Sequence, residues 1–332
     1  MKMCTSLTYQ MDDGSNALGR TMDFAFVLDP DAYMIPRNYA WHSQVDGTAY
    51  KTKYAFAGLA RKLDENIVLA DGINEHGLGC AVLYFPGYAI YSEKKAAGMT
   101  NLAPHEVLYW LLAGCADTEE VKQAVKELNI VNSPVSLLGI TPPFHWIVTD
   151  KKNRTIVIEP LADGLSVSDN AVGVMSNSPD FNWHMTNVRN YIGLRPYQHK
   201  PVQLDGVTFA PLGQASGTVG LPGDYTPPAR FLRVLFGKAT MKRTDNELEA
   251  VTAVFHLLDS VSIPKGSVIK DDDGVDYTQH ASCMFCDSAT YYFKTYDNSQ
   301  IVKIDLLAED LDANEPKVWP IRKTQQIHTL NS

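Results

Sequence analysis

Met3-Cys4-Thr5-Ser6-Leu7-Thr8-Tyr9-Gln10-Met11-Asp12-Asp13-Gly14-Ser15-Asn16-Ala17-Leu18-Gly19-Arg20-Thr21-Met22-Asp23-Phe24 is the stretch whose reading decides the fold. Two strand-like runs, Thr5 to Met11 and Ala17 to Val27, flank Asp13-Gly14, a strong signal for a two-residue hairpin turn. Such a turn fixes the register: Asp12 faces Ser15, Leu7 faces Arg20, and Cys4 faces Asp23. Facing residues bring their Cβ atoms to about 4.5–5.5 Å, so the Asp23 carboxylate is expected beside Cys4. Arg20, three residues before Asp23, then points to the other face. It joins the pair only if the strand bulges, as Gly19 would allow.

Cys4 gains chemistry if the residues before it are removed. Translation from Met3 requires loss of one methionine; translation from Met1 requires removal of Met1-Lys2-Met3. The chain would then carry a thiol near pKa ~8.5 and an α-amine near ~7.7–8.0 on one residue, a nucleophile with its own base. The alternative is a small apolar side chain buried in a first strand.

Working outward, 332 residues with 45% hydrophobic and 20% charged side chains describe a globular chain with a sizeable core. We expect one domain over the whole length. A net charge of −9 argues against nucleic acid or an anionic membrane as partner. No apolar run reaches the ~18 residues of a membrane span. The N-terminus lacks the pattern of a signal peptide, which points to the cytoplasm. The cysteines Cys4, Cys80, Cys115, Cys283 and Cys286 form an odd, scattered set that suggests no disulfide framework. Cys283 and Cys286 lie in a strand-like run, without the second pair a zinc site needs. Asp271-Asp272-Asp273-Gly274 lacks the spaced ligands of a calcium loop and reads as a solvated turn.

Strand patterns recur between Tyr54 and Tyr84. Two helices follow, one after Pro104 with the stripe Val107, Leu108, Leu111 and Leu112, the next capped by Asp117. Strands return at His145 to Thr149, at Arg154 to Glu159 and near Met175. Residues 189–228 are rich in Gly, Pro and Gln, as an interface arm would be. Helices are expected over Ala229 to Lys242 and Asn246 to Ser260, then strands over Ala281 to Tyr296 and Gln300 to Leu306. Blocks of strands separated by blocks of helices predict an α+β protein, a four-layer α/β/β/α sandwich of two antiparallel sheets.

Six ordered blocks carry a resemblance. They are Cys4-Thr5-Ser6-Leu7, Gly19-Arg20-Thr21-Met22-Asp23-Phe24, Ala70-Asp71-Gly72-Ile73-Asn74-Glu75, Phe85-Pro86-Gly87-Tyr88, Asn177-Ser178-Pro179-Asp180-Phe181, and Gly220 through Phe231 with Thr226-Pro227-Pro228-Ala229-Arg230. Together they resemble the choloylglycine hydrolase family, N-terminal-nucleophile hydrolases that include penicillin V acylases and conjugated bile salt hydrolases. The resemblance implies Cys4 as nucleophile, with Arg20 and Asp23 beside it. It also implies Asn177 and the backbone N–H of Tyr84 as oxyanion donors, and Arg230 as part of the surrounding charge network. Read alone, Asn177 is a turn residue before Pro179 and Arg230 an exposed first-turn helix residue. A homotetramer is implied, and the chemistry requires no metal or cofactor.

The substrate expected is a small N-acyl amide. Bile salt hydrolases usually carry asparagine before the Phe-Pro-Gly-Tyr block and penicillin V acylases tyrosine; this chain has Tyr84. An aromatic wall suits a phenoxyacetyl group, so penicillin V is the first expectation and a conjugated bile salt the alternative. Met22 and Phe24 are placed to line the same pocket. A non-catalytic, metabolite-binding member of the fold is the competing reading, against which stands the complete set Cys4, Arg20, Asp23, Asn177 and Arg230.

Overall fold

A computed structural model describes residues 3–63, 66–136 and 138–331. Met1 and Lys2, two of the three residues expected to be removed, lie outside the described residues.

The first strand, β1 (Met3–Gln10), pairs antiparallel with β2 (Asn16–Phe24). The turn is longer than Asp13-Gly14 alone. Met11 N–H donates to Ser15 O at 2.9 Å and Gly14 N–H to Met11 O at 3.1 Å, while Asp13 Oδ1 accepts from Ser15 N–H at 2.8 Å. Residues 11–15 therefore form the loop, and Gly14 takes the left-handed backbone it needs, at φ +91°. The register moves by one residue from the expected one: Gln10 faces Asn16, Cys4 faces Met22, and Met3 faces Asp23. Because side chains alternate along a strand, a one-residue shift exchanges the faces. Cys4 thus shares a face with Met22 and Arg20, and Asp23 takes the other. No bulge at Gly19 is involved. The bulge lies on the next strand, Val275–Phe285, where the pairing shifts between Thr278 and His280.

Two antiparallel sheets result. The first runs in the order Val174–Met175, β1, β2, Val275–Phe285, Thr290–Thr295, Val302–Asp305. The second runs Gly164–Asp169, Thr155–Leu161, Phe144–Thr149, Gly79–Tyr84, Asp71–Asn74, Phe56–Leu63, Asp31–Ile35, Lys317–Trp319. They stack face to face. Leu18, Met284, Ala81, Ile147 and Val157 join one fully buried cluster between them.

Helices cover both outer faces. Helix α1 (Val107–Gly114) and α2 (Thr118–Ala124) close the second sheet through Val107, Leu108, Leu111, Leu112 and Val121. Asp117 caps α2, accepting from Glu119 and Glu120 N–H at 3.0 Å each. The short α3 (Phe181–Asn187) follows, capped by Asp180. Helices α4 (Pro227–Thr240) and α5 (Glu247–Asp259) cover the first sheet, α4 starting on prolines and α5 capped by Asn246. Gly19 lets α5 approach β2 closely, since a Cβ there would stand 2.6 Å from Val254 Cγ1. The architecture is the α/β/β/α sandwich. Within residues 189–228 a small hairpin, Val202–Leu204 with Val207–Phe209, stands as a separate two-stranded sheet. The 271–274 acidic run is a turn in which Asp272 pairs with Lys270 at 2.8 Å.

Candidate active site

The inner face of β2 looks into the space between the sheets, and Arg20 crosses it. Its Nη2 donates to Cys4 Sγ at 3.1 Å and to Val82 O at 3.1 Å. Its Nη1 pairs with Asp71 Oδ2 at 2.8 Å and reaches Ala70 O at 3.3 Å, while Nε donates to Thr21 O at 3.2 Å. Asp71 starts a strand of the opposite sheet. Its Oδ1 accepts from the Tyr291 hydroxyl, and His280 Nε2 stands 3.6 Å from Oδ2, an ionic approach beyond hydrogen-bond length. Cys4 Sγ also lies 3.9 Å from Met22 Sδ.

The outer face carries Thr5, Thr21 and Asp23 beneath α4. Asp23 accepts from Thr278 Oγ1 at 2.6 Å and Thr21 Oγ1 at 3.1 Å. Arg230, in the first turn of α4, lies 4.0 Å from Asp23 Oδ2. Its guanidinium donates to Cys4 O at 2.6 Å, to Thr5 Oγ1, to Asn177 Oδ1 at 2.7 Å and to Tyr225 O at 2.9 Å. Far from being exposed, Arg230 has no accessible surface. Asn177 binds everything at this edge: Oδ1 accepts from Cys4 N–H at 2.8 Å, and Nδ2 donates to Tyr84 O at 2.7 Å. Asn177 O in turn accepts from His184 Nε2 at 2.8 Å, and the His184 ring stacks on Phe231 of α4.

Burial pushes the Cys4 thiol up; the Arg20 guanidinium pulls it back, the Asp23 carboxylate pushes it further up, and Arg230 pulls it down. Burial raises Asp23 and lowers Arg230, because a 4.0 Å separation compensates desolvation only in part. Asp71 differs. Burial works against its charge, yet His280 and Arg20 beside it hold the carboxyl at about 2. Burial lowers His280.

A cleft opens from Cys4 over Met22, Phe24, Leu69, Val82 and Tyr84, with Phe144 against the Tyr84 ring at 6.2 Å between centroids. The structure therefore gathers Cys4, Arg20, Met22, Phe24 and Tyr84 on the cleft side. It gathers Asp23 and Arg230 on the helix side, with Asn177 joining the two. Asp71, Tyr291, His280 and His184 were missed from the sequence. Asp71 lies within one of the six resembling blocks, but nothing in its local sequence marks it as a site residue. The other three carry no local signal, since each is an ordinary strand or helix residue until the chain folds.

The family model for linear amide C–N hydrolases of the choloylglycine hydrolase family matches residues 4–319. The bile salt hydrolase/transferase of Clostridium perfringens is 39% identical over 329 residues, covering 99% of this chain and all of that protein. The conjugated bile acid hydrolase of Lactobacillus acidophilus is 35% identical over 300 residues, covering 90% of this chain and 94% of that one. A crystal structure of a mutant conjugated bile acid hydrolase from Clostridium perfringens superposes with a TM-score of 0.92 at 38% identity, over 99% of this chain and all of that one. Penicillin V acylase from Agrobacterium tumefaciens shares the fold, with a TM-score of 0.76 at 20% identity over 96% and 91% of the two chains. The chain belongs to the choloylglycine hydrolase family and is a linear amide C–N hydrolase.

Proposed function

We propose that this hydrolase cleaves conjugated bile salts, releasing the amino acid from the steroid acid. The observation that carries this is the end-to-end identity, 39%, with a protein named a bile salt hydrolase/transferase. Penicillin V, the first expectation from the sequence, takes second place: the likeness to a penicillin V acylase is 20% identical and speaks for the fold alone. Tyr84 keeps penicillin V as a second reading, because its ring walls the cleft beside Phe144 and suits a flat aryl group. Parallel hydrolysis of glycocholate, taurocholate and penicillin V decides. Bile salt turnover is expected to exceed penicillin V turnover; the reverse order overturns the proposal.

In the proposed mechanism, loss of Met1-Lys2-Met3 turns the Cys4 peptide nitrogen into an α-amine, which takes the thiol proton. The thiolate attacks the substrate carbonyl, the amine component leaves protonated, and water hydrolyses the thioester. Arg20 at 3.1 Å supports the thiolate, and Asn177 Oδ1 at 2.8 Å supports the nitrogen. Asn177 Nδ2 carries a second N–H beyond the one given to Tyr84 O, and we assign it the oxyanion, with the Tyr84 backbone N–H as the second donor that the family resemblance implies. Opposite Asp23 lies Met3, so its removal gives the new ammonium a carboxylate neighbour. A chain retaining Met3 is expected to be inactive, since a peptide nitrogen is no base; intact-mass measurement on active enzyme tests this.

Self-association through residues 189–228 fits the exposed apolar hairpin. Val202, Leu204, Val207 and Phe209 are each more than half exposed on a two-stranded sheet of the kind that is marginal alone. A homotetramer is the assembly proposed, and sedimentation of Leu204→Lys with Phe209→Lys should show dissociation. The five unpaired cysteines fit a reducing, cytoplasmic setting.

A further inference from the structure

Asp71 has no part in the mechanism above, yet it is fully buried between charged and polar partners. It enters from the second sheet and meets three groups of the first: Arg20 on β2, His280 on Val275–Phe285 and Tyr291 on Thr290–Thr295. Both side chains of the Arg20–Asp71 pair have no accessible surface. A guanidinium is a rigid planar fork, so fixing one terminal nitrogen fixes the other. Nη1 on Asp71 at 2.8 Å therefore determines where Nη2 falls, which is 3.1 Å from the nucleophilic sulfur.

We propose that Asp71 is a positioning residue for the nucleophile: it orients Arg20 toward Cys4 Sγ and, as counter-ion, limits the positive charge that Arg20 presents to the thiol. The buried site then holds two ion pairs, Arg20 with Asp71 on the inner face and Arg230 with Asp23 on the outer. Tyr291 completes the arrangement by donating to the carboxylate oxygen that Arg20 leaves. Burial lowers His280, while Asp71 beside it pulls the other way. The charged groups that act on the thiol are Arg20 on its own face and Asp23 and Arg230 across the strand; those that face Asp71 are Arg20, with His280, Tyr291 and the buried Cys80 thiol as titratable neighbours. The inference rests on Cys4 as the nucleophile.

Alkylation of Cys4 by iodoacetamide, located by peptide mass mapping and followed against pH, titrates the thiol directly. In Asp71→Asn, Arg20 keeps its carbonyl acceptors on Thr21, Ala70 and Val82 but loses its counter-charge. The alkylation midpoint should fall by about one pH unit, with roughly tenfold faster labelling on the acid side. In Tyr291→Phe the carboxylate loses a donor and pulls harder on Arg20, so the midpoint should move the opposite way, upward. A purely structural role loosens Arg20 in both variants and moves both midpoints upward. That outcome, or no shift in an Asp71→Asn protein with native circular dichroism, overturns the proposal. Should Asp71→Asn not fold, a Tyr291→Phe midpoint that stays in place or falls overturns the proposal. Turnover by Cys4→Ala tests the nucleophile separately: retained activity would remove that reading without touching the titration result.

Discussion

Replacing Asn177 by alanine tests the joint between the two faces. The substitution removes an acceptor shared by Cys4 N–H at 2.8 Å and Arg230 Nη2 at 2.7 Å, and a donor to Tyr84 O at 2.7 Å. Arg230 Nη2 and Tyr84 O would be left buried without these partners, at about 1–3 kcal/mol each, so about 3 kcal/mol in total is a fair expectation. Unfolding entropy of ~2.1 cal/mol/K per residue gives ~0.7 kcal/mol/K for 332 residues, so the melting temperature should drop about 4 °C. Loss of one oxyanion donor should lower turnover by about 10²–10³. Asn177→Asp separates the two effects. It keeps an acceptor for Arg230, so stability should fall less, but it has no N–H to offer and turnover should fall as far. Differential scanning calorimetry and steady-state hydrolysis of glycocholate measure both. A folded Asn177→Ala enzyme within threefold of the parent turnover, or an active Asn177→Asp enzyme, would refute the reasoning.

Lys238 on α4 is partly buried, with Nζ donating to Val172 O at 2.7 Å and Thr8 Oγ1 at 3.0 Å, and desolvation lowers its pKa to about 8. Between about pH 8 and its unfolded value of ~10.4 the unfolded chain binds more protons than the folded one, so stability from this group rises with pH by roughly 3 kcal/mol across that window. Denaturant titrations should show the rise in the parent and its loss in Lys238→Met. Gly77, between the strands Asp71–Asn74 and Gly79–Tyr84, has φ +80° and lies so close to the first sheet that a Cβ would stand 1.9 Å from Cys286 O. Gly77→Ala should therefore destabilise by about 2–4 kcal/mol, combining backbone strain with separation of the sheets; a thermal shift near zero would contradict that.

Much of the fold was legible because its signals are local. Strand alternation, the Asp117 cap and the apolar stripe of α1 each act within a few residues. The hairpin was legible as a hairpin but not in register, because Met11 and Ser15 close the loop through main-chain bonds that no residue type announces. That single residue decided which face Asp23 occupies. Arg20 at the thiol was underestimated for the same reason, since the true register needs no bulge to bring it there. Asn177 and Arg230 came from the resemblance alone. Unaided, a turn asparagine and a helix-start arginine carry no sign that a strand far away in sequence will bury them together. Asp71, Tyr291 and His280 were out of reach, because their meeting depends on how two sheets stack.

The corrected register makes better chemical sense than the expected one. In the proposed mechanism proton transfer from thiol to amine creates a thiolate and an ammonium on one residue. A carboxylate directly facing the sulfur would hold the ammonium but oppose the thiolate, and Asp23 does raise the thiol. With Met22 opposite Cys4, the strand itself separates the charges: sulfur points inward to Arg20, and Asp23 lies on the far side beneath Arg230. The nitrogen lies in the plane of the strand, against Asn177 Oδ1, within reach of either environment. Each developing charge thus meets its opposite on its own face, and the net charge of the buried site stays unchanged through the transfer.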